Sequence, residues 1–409
     1  MSRIALVTGP DAGHALPVLG VGAALAAHDH DVTVWTGPEH ADLATRHGLA
    51  WRRLARLAPR PGDEQLGASW WDRAADMTAP LVADLRAARA DVVVVDTLTR
   101  AGTLAAGVLG LPHVEVVPHH LADVADDLPP VGLGRPFPRT PWRAADDRRI
   151  VRFQHRSEAL GADQGRTAAA RVGLAAVPPP RVRLLQTLPS LERPRRSWPT
   201  DAHVVGSLAL DPLLPRLEPP TGDLPLVVVT DTTASGVAGG LGALAVGALR
   251  HLDVRLVVTS SALPPRTAPD VVVGRGPHGP LLDRAALAVS PGGGGFVAKA
   301  AAHGVPQVVV PFHGDQREAA ARLRDVGAGR VVRRASSRAL RWAVVSGLAD
   351  RSAAAAARTL AAEAAELGPA IAADLVEAVL AGRQPVADGP GVGRLRRAVT
   401  PDAERLVDG

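Results

Sequence analysis

Short runs of β-branched residues alternate with longer Ala- and Leu-rich segments along most of the chain, the pattern of strand–helix–strand units and a parallel sheet. In the first half, strands are predicted at Ile4–Thr8, Val32–Thr36, Val92–Val95 and Val114–Val117. Helices fit between them at Leu16–Ala27, Leu43–His47, Pro80–Ala90 and Ala101–Leu109. From about Pro118 to Pro180 the alternation dissolves into a Pro-, Asp- and Arg-rich stretch with one helical segment around Val151–Val172. A second series begins after Pro219-Pro220-Thr221-Gly222. Its strands are Leu226–Thr230, Val254–Thr259, Val271–Val273, Leu287–Ser290, Gln307–Pro311 and Arg330–Val332, and its helices Leu241–His251, Phe296–His303, Arg317–Val326 and Ser352–Glu366. The order implies an α/β protein of two doubly wound, Rossmann-like parallel-sheet domains. The first is expected over 1–215 and the second over 216–383, with a tail over 384–409.

Composition narrows the function classes. The chain has 409 residues, 46% hydrophobic and 21% charged, which supports packed cores in two domains and excludes wholesale disorder. With no cysteine, disulfides, thiolate metal sites and a cysteine nucleophile are excluded. The net charge of +5 is carried almost wholly by arginine, Lys299 being the single lysine. These basic residues are scattered, and aromatics make up 3% of the chain, too few to stack single-stranded bases. No nucleic-acid partner is expected. The apolar stretch Ala15–Ala27 is too short to span a bilayer and lacks a basic flank, so no membrane span and a soluble, cytoplasmic protein are expected.

Open parallel sheets bind ligands beyond the carboxyl ends of their strands. Gly9-Pro10-Asp11-Ala12-Gly13-His14 follows the first strand, and Asp96 follows the Val92–Val95 strand, so His14 and Asp96 should face one crevice. Such a pair lets an imidazole accept a proton while the carboxylate fixes its tautomer. A satisfied loop histidine and an N-capping aspartate fit the spacing equally well. In the second half, Ser290-Pro291-Gly292-Gly293-Gly294-Gly295 lies between a strand and a helix. Backbone amides there can approach an anion closely at a helix N-terminus, and a diphosphate is the natural guest. A tight turn would need only one of these glycines. One strand later, Asp315 and Gln316 offer acceptors and donors suited to sugar hydroxyls, or a cap for the helix at Arg317.

Together, Gly13-His14-x-x-Pro17, the glycine turn, Gly304-Val305-Pro306, Pro311 and Asp315-Gln316 resemble the GT-B glycosyltransferases of family 1. Those include plant small-molecule glucosyltransferases and actinomycete enzymes that glycosylate antibiotics. Pro277-His278 with Leu281-Leu282 looks like the stretch upstream of that family's glycine turn. The segment Leu185–Asp211 is similar to its approach between the domains. The resemblance implies a GT-B fold, a nucleotide-diphosphate sugar held by the second domain and a small, largely apolar acceptor held by the first. Transfer would invert the anomeric carbon without a metal or other cofactor. His14 matches the family's catalytic base and Asp96 its partner. Gly292, Gly293, Gly294 and Gly295 would meet the diphosphate, Asp315 and Gln316 the sugar, and Pro277, His278, Thr232 and Thr233 would also lie at the donor.

The departures from the family pattern cluster at the donor. Pro291 stands where a histidine is usual, Phe296 for a hydroxyl residue, Lys299 for a ribose-binding glutamate and Ala319 for an asparagine. Thr230-Asp231-Thr232-Thr233 replaces a typical Gly-Thr. Hydrogen bonds to charged groups contribute about 1.5–3 kcal/mol each, so their joint loss would weaken donor binding by orders of magnitude. Either Lys299 restores charge at the diphosphate, or the chain is a catalytically silent GT-B protein that binds a ligand or assists another enzyme. Two metal-like patterns compete weakly. His119-His120-x-x-Asp123-x-x-Asp126-Asp127 fits a solvated loop better than a metal set, and Asp29-His30-Asp31 reads as a charged turn between a helix and a strand. Trp70, Trp71, Pro118, Phe137, Pro138 and Trp142 are candidates for an apolar acceptor pocket.

Overall fold

The structure, a computed structural model, describes residues 1–58, 68–231, 240–312 and 314–391. Seven strands form a wholly parallel first sheet: β1 (Arg3–Val7), β2 (Asp31–Thr36), β3 (Ala50–Arg53), β4 (Val92–Asp96), β5 (His113–Val117), β6 (Val182–Leu185) and β7 (Ala202–Val204). Their order is 3-2-1-4-5-6-7. Its helices are α1 (Ala12–Ala27), α2 (Ala41–Arg46), α3 (Ala68–Ala87), α4 (Arg100–Leu109) and the long α5 (Pro141–Arg171). The second sheet contains β8 (Leu226–Thr230), β9 (Arg255–Thr259), β10 (Arg266–Thr267), β11 (Val271–Gly274), β12 (Leu287–Ser290), β13 (Gln307–Val309) and β14 (Gly329–Val331). Its order is 10-11-9-8-12-13-14, with only β10 antiparallel to its neighbour. The accompanying helices are α6 (Leu241–Leu249), α7 (Gly279–Leu282), α8 (Gly294–Ala302), α9 (Gly314–Asp325), α10 (Ser337–Leu348), α11 (Arg351–Ala364) and α12 (Pro369–Leu380).

Alternation decides which side chains enter which layer. Ile4 and Leu6 of β1 join Val92 and Val94 under α1, while Ala5 and Val7 join Val93 and Val95 under α3 and α4. Sheets covered on both faces read as continuous apolar runs, which is why these strands were legible. The short strands β3, β6 and β7 were not. Two of them carry arginines, and β3 is a partly exposed edge. A larger difference concerns α12, which the expected boundaries place in the second domain. Its Ala372, Ala373, Leu375, Val376 and Val379 pack against α1 in the core of the first sheet, so the chain crosses back at its end.

Two buried histidines and a half-buried one tie this architecture to pH. Burial holds His113, His203 and His278 at a pKa of about 4, below the ordinary 6.5. The unfolded chain therefore takes up protons between pH 6.5 and 4 while the folded chain does not. Stability should be flat above about pH 6.5 and fall as pH drops towards 4, by up to about 3 kcal/mol per histidine. Urea denaturation at pH 7.5, 5.5 and 4.5 checks this; an unchanged midpoint would reject it.

Candidate functional site

The carboxyl edge of the first sheet assembles a dyad. Asp11 caps α1 by accepting the Gly13 amide at 2.8 Å, which sets His14 in the first turn. Strands β1 and β4 pair in register from Ile4↔Val92 to Val7↔Val95, so Asp96 arrives beside the turn after β1. His14 Nδ1 lies 3.1 Å from Asp96 Oδ1. Asp96 also accepts the Leu98 amide at 2.7 Å, the Gly9 amide at 3.1 Å and the Thr99 hydroxyl. Burial pushes its pKa up, but the hydrogen bond and charge of His14, with Thr99 and Leu98, outweigh that and hold it below the usual range. A carboxylate so engaged accepts only; Nδ1 of His14 is therefore the donor and Nε2 carries the lone pair. The imidazole is 19% exposed and the carboxylate 1%, a base open to a ligand on a buried support.

A second histidine, His119, follows β5 at the same sheet edge, and burial lowers its pKa. Its Nδ1 bonds the His120 carbonyl at 2.7 Å, which as a carbonyl can only accept, so Nε2 is again the unprotonated nitrogen. The carboxyl-edge rule that found His14 and Asp96 applies equally to His119. Next to the acidic residues that follow it, His119 also fits a metal-like pattern. The structure disperses that pattern: Asp123 pairs with Arg183, Asp126 with His155, and Asp127 accepts the Arg196 amide.

Across the cleft, the glycine turn leads into α8. Gly292 has φ +96°, where a side chain is strained, and its amide bonds Ser290 Oγ at 3.2 Å. A Cβ on Gly294 would sit 2.4 Å from the Pro118 carbonyl oxygen, so this glycine lets the first domain approach the helix start. Around Gly293 no atom lies within 4 Å of such a position, and Gly295 has only ordinary contacts. The four glycines thus divide their work between turn, domain contact and open space at a helix N-terminus.

Beneath the cleft the domains are stitched by buried charge. Arg193 Nε lies 3.1 Å from Glu318 Oε1. Arg322 bonds Glu192 Oε2 at 2.9 Å and the Leu191 carbonyl at 2.8 Å. Glu318 Oε2 accepts the Gly134 amide at 3.2 Å. A cavity of about 20 Å³, one water in size, remains between His120, Val297 and Arg322.

Residues 242–379 match the family model described as Erythromycin biosynthesis protein CIII-like, C-terminal domain. The chain is 29% identical over 395 residues to 4'-demethylrebeccamycin synthase of Lentzea aerocolonigenes, covering 84% of this chain and 91% of that one. Its fold superposes on the glycotransferase of kitacinnamycin with a TM-score of 0.71 at 23% identity, over 92% of this chain and 98% of that one. The chain has the GT-B fold. The spinosyn rhamnosyltransferase SpnG, solved with thymidine diphosphate and with spinosyn aglycone, has the same fold. In its thymidine diphosphate complex it aligns with a TM-score of 0.63 at 22% identity, over 92% of this chain and 99% of SpnG.

Within this fold the donor residues expected from sequence meet different fates. Asp315 is exposed in the first turn of α9. Gln316 is turned inward, its Oε1 accepting the Phe312 amide at 2.9 Å, and so braces the loop after β13. Lys299 donates to Asp211 Oδ1 at 2.6 Å, an ion pair that ties α8 to the first domain's last segment. The same carboxylate accepts the His278 and Gly279 amides at 3.2 and 3.1 Å, fixing the start of α7. His278 Nε2 is engaged with Thr259 Oγ1 at 2.9 Å, and Phe296 meets its ring edge-on at 5.0 Å. Pro277 is buried beside it. Ala319 packs with Leu188, Val297 and Leu323, so the missing asparagine has become core. Thr232 and Thr233 lie outside the described residues. Asp231 before them accepts the Gly242 amide at 3.1 Å and the Ser260 hydroxyl at 2.8 Å. The apolar acceptor candidates scatter: Trp71 lies under Arg100, Phe137 under Arg193, and Trp142 is exposed on α5.

Proposed function

We propose that this protein moves a sugar from a nucleotide diphosphate to a hydroxyl of a small, largely apolar acceptor, with inversion and with no metal ion or other cofactor. The observation that carries the reading is the His14–Asp96 dyad at the carboxyl edge of the first sheet, with a helix N-terminus in the second domain that has open space at Gly293. In the proposed reaction Nε2 of His14 takes the proton of the acceptor hydroxyl as its oxygen attacks the anomeric carbon. The bond from that carbon to the diphosphate breaks on the opposite face. Asp96 stabilises the imidazolium so formed, and the amides at the start of α8 meet the leaving diphosphate. Relatives named for antibiotic and secondary-metabolite glycosylation support this over a silent binding protein, as does a dyad intact in every hydrogen bond. Among the described residues no helix is long and apolar enough to cross a membrane, in keeping with a small-molecule enzyme working in the cytoplasm.

Calorimetric titration with thymidine and uridine diphosphates tests the donor half. One of them is expected to bind at one equivalent, and a His14→Ala variant should bind it equally well. Absence of binding by both at millimolar concentration would overturn the transferase reading.

A further inference from the structure

The charged turn at the far end of α1 carries a constellation that the transfer reaction does not use. His28 caps the C-terminus of α1, Asp29 turns the chain with φ +62°, and His30 leads into β2. Both imidazoles meet one oxygen of α12: Glu377 Oε1 lies 2.8 Å from His28 Nδ1 and 3.1 Å from His30 Nε2. Asp374 sits three residues before Glu377, so the two carboxylates share one face of α12 while its other face fills the core. Ligand atoms of His28, Asp374 and Glu377 all lie within 4.8 Å of one another.

His30 is distinct from the other three. Its Nδ1 accepts the Ser2 amide at 3.2 Å, which leaves the proton on Nε2 and makes that nitrogen a donor to Glu377. It is thereby an orienting group, the role that outer-shell partners play behind metal-bound carboxylates. Tetrahedral metal–ligand bonds of about 2.1 Å hold donor atoms about 3.4 Å apart, so the His28–Glu377 pair, 2.8 Å apart, would open by about half an ångström to take an ion.

We propose that His28, Asp374 and Glu377 bind a divalent first-row transition cation such as zinc, with His30 holding Glu377 from behind. One imidazole with two carboxylates suits such an ion, and the partial exposure of the set leaves positions for water. The site is structural. His14 and His28 stand 14 residues apart on α1, about 21 Å at 1.5 Å per residue. A bound ion would clasp the returning helix α12 to the first domain.

The test is a zinc titration of the chelator-treated full chain, followed by calorimetry and by thermal midpoint. The wild type is expected to take up one equivalent with micromolar affinity, its midpoint rising with zinc concentration. Glu377→Gln should lose that equivalent, and His30→Ala should bind about 10–100-fold more weakly, both with wild-type circular dichroism and transferase rate. Because the chain has no cysteine, thiolates cannot mask the difference. The proposal is overturned if the wild type takes up no more zinc than Glu377→Gln, or if both variants bind as the wild type does.

Discussion

Replacing His14 by alanine is expected to lower the turnover of sugar transfer about 10²–10⁴-fold, the usual contribution of a positioned general base. The fold should survive, because the imidazole is bonded to Asp96 and to no other described group, and that carboxylate keeps three other donors. Asp96→Asn should be nearly as damaging. The amide can present its NH₂ to Nδ1 and so favour the tautomer with the proton on Nε2, where a base is needed. Steady-state rates with unchanged diphosphate affinity check both variants. Retention of full turnover by His14→Ala would remove the assigned role.

Glu318→Leu is expected to destabilise the protein by about 3–5 kcal/mol, the cost of stranding a buried partner charge. Arg193 would lose its one ion-pair partner among the described residues while remaining 5% exposed. Arg322 would keep Glu192. The double variant Arg193→Met/Glu318→Leu should regain most of the loss, since a buried ion pair exchanged for apolar side chains of similar volume is often neutral. Denaturant melts of the two single variants and the pair give the coupling energy. Additive losses would show that the pair is not what joins α9 to the segment between β6 and β7.

These outcomes bear on how much of the molecule was legible before the fold was known. The strand–helix alternation, the two-sheet architecture and the positions of His14, Asp96 and the glycine turn could be read directly. Each follows from local periodicity together with one topological rule about carboxyl ends. The same rule covers His119, which follows β5, but the sequence placed that histidine only in a metal-like pattern with the acidic residues after it.

Sequence alone therefore determined which residues stand at the rim of the cleft, because rim positions depend on where a strand stops. Tertiary structure decided which of their polar atoms remain available. Lys299 is paired 88 residues away with Asp211, and His278 is held by a hydroxyl 19 residues upstream. Gln316 closes on the Phe312 amide four residues before it. It also decided that α12 returns to α1, because an amphipathic helix near a chain end specifies that it will bury a face but not against which sheet. Hydrogen-bond partners and packing partners are chosen by proximity in space, which spacing along the chain does not encode.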